Sequence, residues 1–478
     1  MKARHHKEIN MKAKEFRNKY KETYRIRPLR KVTKEAIVDA KVIENNKSFL
    51  YKSINKDFTN SNDLKIIGVS GSKGKSTVCY LLHNALKEKG KKSILYSSIE
   101  IDSELSYNLK GSVENPLKDK EMLLNAINEA IEAEAEYLIL EVNERAIKNQ
   151  IIDDLDFDMK VITNIHPKHN NYLYPDYEEI KKSFFLNNNN PNTKLLLGIT
   201  NQEAYDLYNR LNKKIVFTTA YLKERFNIKD EDVNYYLKEN ENELDTIEGL
   251  DFDVYTKYNK VNFKSNLIMM HNALNIGLVY AILQELGEYD YNSFMKVLNT
   301  ISIPGRCEVF NYNDKKVIVS FALDPELENL KRYKDRKQIN NIKVVTGASG
   351  LGHKTWGKEF SSDAYIEEKM EGMNFAYNYI QKYADMVYIT SSDSGATNKE
   401  ELINHQSSLV TKINKECYEN RKYAIYKAIK DAANKDVILI SGRGNRKILC
   451  DGYESVSFLL DKDVVLEVIN DLKKDKLW

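Results

Sequence analysis

The sequence predicts an α/β protein, and three observations carry that prediction. Apolar runs of strand length alternate with longer amphipathic runs of helix length. The apolar runs end in turns that carry Gly or Ser. The whole pattern occurs twice, once from residue 64 and again after Pro304. Such alternation requires crossover helices, which imply mostly parallel sheets covered on both faces.

The first series opens on residues 64–70, LKIIGVS, a strand followed by a Gly-containing turn and the helical run TVCYLLHNALKEKG. Gly90 stops that helix, with Lys87, Lys89 and Lys91 beside the negative end of its dipole. SILYSSIEI is expected as a single strand, MLLNAINEAIEAEA as a helix, and YLILEV and MKVITNI as further strands. The Asn-rich tract at 187–191 reads as a surface turn before the strand TKLLLGI. Residues 230–265 alternate polar residues with Tyr, Phe and Val in short pieces, which suggests a small β excursion. The second series contributes KVIVSF, IKVVTGASG, MVYITSS and DVILISGRG, whose terminal turns are where an open α/β sheet gathers ligands.

With 478 residues, and about 150 per domain as a prior, roughly three units are expected. The divisions are a basic, helix-like segment at 1–60, a central domain at 61–300 and a C-terminal Rossmann-like α/β domain at 301–478. The 73 Lys and Arg nearly cancel the 70 Asp and Glu, so bulk charge argues against a nucleic-acid binder. Basic residues recur through the first 31 positions against only Glu8, Glu15 and Glu22, but they are spread out and reads as a solvated helix. No run approaches the roughly 18 apolar residues of a membrane span, the N-terminus is charged where a secretory signal is apolar, and the four cysteines form no CxxC pair. These features predict a cytoplasmic protein with reduced thiols, monomeric or weakly self-associating, with neither nucleic acid nor membrane as partner.

The sharpest motif is Gly71-Ser72-Lys73-Gly74-Lys75-Ser76-Thr77, set between a strand and a helix as a phosphate-binding loop requires. Glycines let backbone N–H groups converge on phosphate oxygens, and the helix N-terminus adds positive potential. Lys75 can bridge the β- and γ-phosphates of ATP, and the Ser76 hydroxyl suits Mg²⁺. Val69 stands where a longer loop of this kind has a further glycine, so this is a short variant.

Five further segments follow in order: Glu141 closing YLILEV; Thr163-Asn164-Ile165 with His169; Tyr177 with Lys181 and Phe184-Phe185; His271-Asn272 with Asn275; and Pro304-Gly305-Arg306 with Glu308. Singly each is ordinary, since a lone histidine is usually structural and Lys181 would be a solvated helix residue. Together with the loop they resemble the Mur ligase family, ATP-dependent enzymes that join an amino acid to a carboxylate through an acyl-phosphate. The likeness runs across nearly the whole chain after residue 64.

That resemblance implies roles. Lys75, Glu141, His169 and Lys181 would be catalytic; Ser76, Glu141, His169 and a carbamylated Lys181 would hold metal; Asn272 and Asn275 would lie at the adenine; and Arg306 would reach the phosphates. The C-terminal third is most similar to the tripeptide-synthetase branch: GASGLGHKTWGK with Lys354, ITSSDSGATNKEELI with Asp393, and ISGRGN with Gly442, followed by Arg446, match its acceptor loops. Asn115 stands in the element that lies near the donor in that branch.

The pattern also departs from the family. Lys168 and Asn171 replace acidic residues beside His169, and Ser320 and Leu323 replace an Asp and a His that touch nucleotide. The acceptor signature DNPR is here Asp393-Ser394-Gly395-Ala396, without its arginine, and Arg446 stands where a Glu would hold a distal ammonium. An acidic or neutral acceptor amine is therefore expected. The 60 residues before the loop are too few for a full nucleotide-sugar domain, so a donor other than the uridine-linked muramyl dipeptide is expected. Two other readings remain open: a nucleotide-dependent ATPase or switch, and a degenerate ligase fold kept as a scaffold.

Overall fold

The structure, a computed structural model, describes residues 64–103, 109–110, 115–166, 175–188, 190–238, 245–350, 363–394, 398–446, 448–451, 454–457 and 459–474. The basic segment at 1–60 lies outside them.

Two sheets organise the chain. The first is built on β1 (Lys65–Ser70), β2 (Ser93–Tyr96), β3 (Glu100–Asp102), β4 (Leu109–Lys110), β5 (Tyr137–Glu141), β6 (Met159–Ile162), β7 (Lys194–Gly198), β8 (Ile215–Thr219), β9 (Tyr235–Leu237), β10 (Asp245–Thr246), β11 (Gly249–Thr256) and β12 (Lys260–Ser265). Its order is β10-β11-β9-β8-β7-β6-β1-β5-β2-β3-β4, with β12 paired to β11. The strands from β2 to β9 that flank β1 run parallel, whereas β3, β4 and β10 to β12 form antiparallel edges. The expected β excursion at 230–265 thus extends the main sheet rather than standing apart.

SILYSSIEI differs from expectation: it is two strands, β2 and an antiparallel β3, broken at Ser97-Ser98. The break has a chemical reason, because Ser97 Oγ and Ser98 N both donate to Glu141 Oε2. A continuous strand would spend that N–H on the ladder.

Strand periodicity explains the two cores of this unit. Ile67, Val69 and Ile139 point to one face, where they pack with α1 (Lys75–Glu88) and the later helix at Met270–Leu286; Ile66, Leu138 and Leu140 point to the other, toward α2 (Lys120–Glu132). These side chains are fully buried, and each such burial contributes about 1.5–3 kcal/mol. The helices α3 (Glu144–Lys148), α4 (Tyr177–Leu186), α5 (Gln202–Arg210), α6 (Ala220–Arg225), α7 (Met270–Leu286) and α8 (Tyr291–Thr300) complete the unit.

The second sheet comprises β13 (Glu308–Tyr312), β14 (Lys315–Ser320), β15 (Ile342–Thr346), β16 (Met386–Thr390), β17 (Asn414–Tyr418) and β18 (Val437–Ser441), in the order β13-β14-β18-β15-β16-β17. Only β13 is antiparallel, so the Rossmann-like reading holds. Helices α9 (Asp324–Asp335), α10 (Asp363–Tyr383), α11 (Lys399–Leu409), α12 (Arg421–Lys430) and α13 (Asp461–Lys473) accompany it, and β19 (Ile448–Asp451) pairs with β20 (Glu454–Ser457) as a separate ribbon. No described helix is long and apolar enough to cross a membrane.

Candidate nucleotide and acyl-transfer site

In the first sheet β1 lies between β5 and β6, with Val69 opposite Glu141 and Ser70 opposite Ile162. This register brings the carboxyl ends of three strands together where the strand order reverses, the position at which open α/β sheets hold ligands. A cavity of about 860 Å³ opens there, between the phosphate loop, α7 and the start of α9.

The loop is held in shape from behind. Asn164 Oδ1 accepts from Ser72 N and Lys73 N at 3.2 and 2.9 Å, Asn164 Nδ2 donates to Lys73 O at 2.8 Å, and Thr163 Oγ1 donates to the same carbonyl at 2.6 Å. Gly71 and Gly74 both take positive φ, and a Cβ on Gly71 would stand 2.1 Å from Thr163 Oγ1. Among the described residues, no side chain caps the N-terminus of α1. Its first-turn N–H groups have no intrahelical acceptor, so the cavity offers an anion a set of backbone donors.

Charge reinforces that preference. Lys73, Lys75, Arg306 and Arg446 all line the cavity. The Arg306 and Arg446 guanidiniums pack on the Phe321 ring at 5.0 and 4.8 Å from its centroid. Burial lowers the Arg306 pKa, while Glu141 and Glu326 oppose that shift.

Glu141 is buried yet charged. Burial alone would raise its pKa, but Lys75 and the hydrogen bonds from Ser98 N, Ser97 and Ser76 hold it below the usual carboxylate range. Its Oε1 accepts from Ser76 Oγ at 2.9 Å. Two oxygens on adjacent octahedral positions of Mg²⁺, at 2.0–2.1 Å, lie about 2.9 Å apart, so this pair already has the spacing to share one ion. The residues fit the metal.

Lys181, on α4, does not reach the cavity wall. It is fully buried, with Nζ 3.0 Å from Glu144 Oε2 and 5.4 Å from the Tyr177 ring centroid. Burial first, then the positive charge of Lys75, lowers its pKa to about 7 against the opposing pull of Glu144 and Glu141.

Residues 69–283 match the model of the Mur ligase middle domain. Along its length the chain is 24% identical over 455 residues to UDP-N-acetylmuramoyl-L-alanyl-D-glutamate–2,6-diaminopimelate ligase of Prochlorococcus marinus subsp. pastoris, covering 91% of this chain and 83% of that protein. It is 27% identical over 418 residues to the ligase of the same name from Oceanobacillus iheyensis, covering 84% and 78%. Residues 69–283 thus form a Mur ligase middle domain. The crystal structure of MurF ligase from Thermotoga maritima in complex with ADP shares the fold at TM-score 0.56 and 16% identity, covering 89% of this chain and 88% of that one.

Most of the expected nucleotide residues converge: Ser72, Lys73, Gly74, Lys75, Ser76, Thr77, Asn272, Asn275 and Arg306 line the cavity, together with Glu141 and Asn115, whereas Gly71 does not. Asn275 Oδ1 stands 2.4 Å from where a Cβ on Gly74 would lie, so it abuts the loop itself. Asn115 takes φ +72° and accepts from Asn143, the cap residue of α3.

The expected acceptor residues divide. Arg446 lines the nucleotide cavity, but Asp393 and Gly442 do not, lying instead at the ends of β16 and β18 in the second sheet. Near them Arg421 makes a two-pronged ion pair with Asp461 at 2.8 and 2.7 Å, and burial, then the Arg421 charge, lowers the Arg443 pKa to about 9. His169 and Lys354 lie outside the described residues.

His166 and Ser98 are among the cavity residues that escaped the sequence reading of the site. His166 precedes His169 by three positions in the same run; its N–H donates to Ser72 Oγ at 2.9 Å, and burial followed by Lys73 lowers its pKa. Asp324, first residue of α9, pairs with Lys73 across the two units. Ser98 donates its N–H to Glu141, and its hydroxyl lies 2.9 Å from that of Ser76. Only the unexpected Ser-Ser break in a strand could have signalled it.

Proposed function

We propose that this protein forms an amide bond, activating a donor carboxylate with ATP as an acyl-phosphate and coupling it to an amino-acid amine with release of ADP and phosphate. The observation that carries this reading is the convergence of the phosphate loop, Glu141 and Arg306 on one cavity, with Lys181 buried immediately behind. The named activity of the relatives supports it.

The triphosphate would lie over the uncapped N-terminus of α1, its terminal phosphates against Lys75 and Arg306. These cations oppose the charge that gathers on the transferring phosphoryl group and on the departing ADP. Ser76 and Glu141 would hold Mg²⁺, which supplies electrostatic neutralisation of phosphate oxygens when bound. Lys181 in its neutral form can take up CO₂ as a carbamate, the amine nitrogen bonding the carbon and releasing one proton, so that an uncharged buried group becomes an anion. His169 completes the proposed set.

The amine then attacks the acyl carbon, the carbon–nitrogen bond forms as the carbon–oxygen bond to phosphate breaks, and the amine's proton leaves. The bridge from Asn445 Nδ2 to Ile99 O at 2.9 Å joins the two units beside the cavity, which would help hold amine and acyl group together. The acceptor we propose is an acidic or neutral amino acid, on the strength of Arg446 and the missing arginine after Asp393.

Phosphate release measured against paired libraries of carboxylates and amines tests the reading. Release that requires both partners supports a ligase. Release with neither partner supports a nucleotide switch, and no nucleotide binding at all supports a scaffold.

A further inference from the structure

A second cluster of ligating atoms sits in the same cavity wall, made of residues other than those assigned above to phosphoryl transfer. His271 in the first turn of α7, Cys307 after the Pro304-Gly305-Arg306 turn, and Glu326 in the first turn of α9 bring a ring nitrogen, a thiol and a carboxylate oxygen all within 4.8 Å of one another. Cys307 Sγ stands 3.9 Å from His271 Nε2 and 3.5 Å from Glu326 Oε1. Two ligands of a tetrahedral zinc ion, sulfur at 2.3 Å and nitrogen or oxygen near 2.0–2.1 Å, are separated by about 3.5 Å. The Cys307–Glu326 pair has that spacing without the ion, and the Cys307–His271 pair, at 3.9 Å, is somewhat wider.

Two further observations point to a cation. Glu326 is buried, and its Oε2 has no hydrogen-bond partner among the described residues. An uncompensated carboxylate oxygen in such a place is costly, and the nearby Arg306 charge reaches Glu326 only through space. The thioether of Met269 lies 3.6 Å from Cys307 Sγ, which adds a second soft donor. Both sulfur-bearing residues hold positive φ, +76° at Met269 and +56° at Cys307, a region that side chains of their size rarely occupy.

We propose that His271, Cys307 and Glu326 bind a divalent transition metal of the zinc class, with the fourth position open to the cavity or taken by Met269. Thiolate, imidazole and carboxylate together select such an ion over Mg²⁺, whose preference is for oxygen alone. The site is distinct from the Ser76–Glu141 pair. Because its ligands come from α7, the residue 307 turn and α9, the metal ties the first unit to the second.

Cobalt(II) reports the site directly. The full chain, stripped with chelator and titrated with Co²⁺ without nucleotide or substrate, is expected to bind one ion per chain with a near-ultraviolet thiolate-to-cobalt band that Zn²⁺ abolishes. Cys307→Ser should remove that band, whereas Cys417→Ser, at an exposed position, should keep it. Zn²⁺ should raise the melting temperature of the native chain and not of Cys307→Ser. Glu326→Gln, which keeps the volume and the cysteine, should weaken Zn²⁺ by at least about tenfold. Absence of the band, its survival in Cys307→Ser, or an unchanged Zn²⁺ affinity in Glu326→Gln overturns the proposal. None of these readouts depends on ligase activity.

Discussion

Lys181 Nζ and Glu144 Oε2 meet at 3.0 Å in a place that excludes solvent from the lysine altogether. One carboxylate does not offset both burial and the charge of Lys75, and the amine titrates near 7 instead of 10.5. Burial and Lys75 therefore favour the neutral, nucleophilic form of Lys181 far more than solvent would.

Carbamate formation should follow from this. Activity is expected to fall when CO₂ and bicarbonate are removed, to return when bicarbonate is added, and to depend on it most steeply below about pH 7, where the amine is protonated. Stability carries the same sign: between about 7 and 10.5 the unfolded chain holds a proton that the folded chain has lost, so stability from this group rises with pH. Lys181→Met should therefore stabilise the chain most below pH 7 and progressively less toward pH 10. Chemical denaturation at several pH values measures this, and a pH-independent difference would contradict it.

Lys75 donates to Ser72 O at 3.3 Å and is ready to turn to a phosphate. Lys75→Met should lower turnover about 10²- to 10³-fold, the usual loss when one preorganised donor to developing charge is removed. Ser76→Ala should instead raise the Mg²⁺ concentration needed for half-maximal rate, because Glu141 keeps its other donors, Ser97 and Ser98. Initial rates across Mg²⁺ concentrations separate the two effects.

The Lys73–Asp324 pair joins side chains that are each a little under half exposed, so it contributes only about 0–1 kcal/mol to stability. Its consequence is competition. A bound triphosphate must draw Lys73 from Asp324, and Asp324→Asn is expected to leave the melting temperature nearly unchanged while tightening ATP several-fold at low salt. Calorimetric titration decides it; weaker binding would make Asp324 a nucleotide contact instead.

Gly305 and Gly90 both hold positive φ, +66° and +83°. A Cβ at Gly90 meets open space, whereas one at Gly305 would stand 2.3 Å from Asn445 N and 2.7 Å from the Gly444 carbonyl carbon. Gly90→Ala should cost about 1 kcal/mol, from backbone conformation alone. Gly305→Ala should cost more and also reduce activity, since the segment it displaces carries Asn445 and Arg446. Melting curves and rates on the pair test the contrast.

The phosphate loop and the strands around it were legible because their chemistry is local: seven consecutive residues specify the loop, and short unbroken apolar runs, buried on both faces, specify β1 and β5. The Ser97-Ser98 break was not legible, because its cause is a carboxylate more than 40 residues away at Glu141. The same holds for the pairing of Asp324 with Lys73, which joins residues of the two units. Lys181 could be named from its place in a familiar run, but its burial behind Lys75 and Glu141 is a property of tertiary packing that no helical periodicity in YEEIKKSFFL discloses. Arg446 and Asp393 were grouped by their likeness to acceptor loops, and the fold separates them.

That separation sharpens the question of acceptor choice. Arg446 packs on Phe321 beside Arg306, facing the nucleotide cavity, so it is placed to meet an anion near the reacting carboxyl group. Arg446→Glu reverses the local charge, and ammonium-bearing acceptors should then gain relative to acidic ones in kcat/KM. Arg446→Lys keeps the charge but loses the planar fork, and should weaken acidic acceptors without admitting dibasic ones. Competition between glutamate and lysine as acceptors, followed by product analysis, reads both variants at once. If neither variant changes the ratio while both weaken ATP, Arg446 serves the nucleotide, and acceptor selection belongs to the Asp393 and Gly442 end of the second sheet.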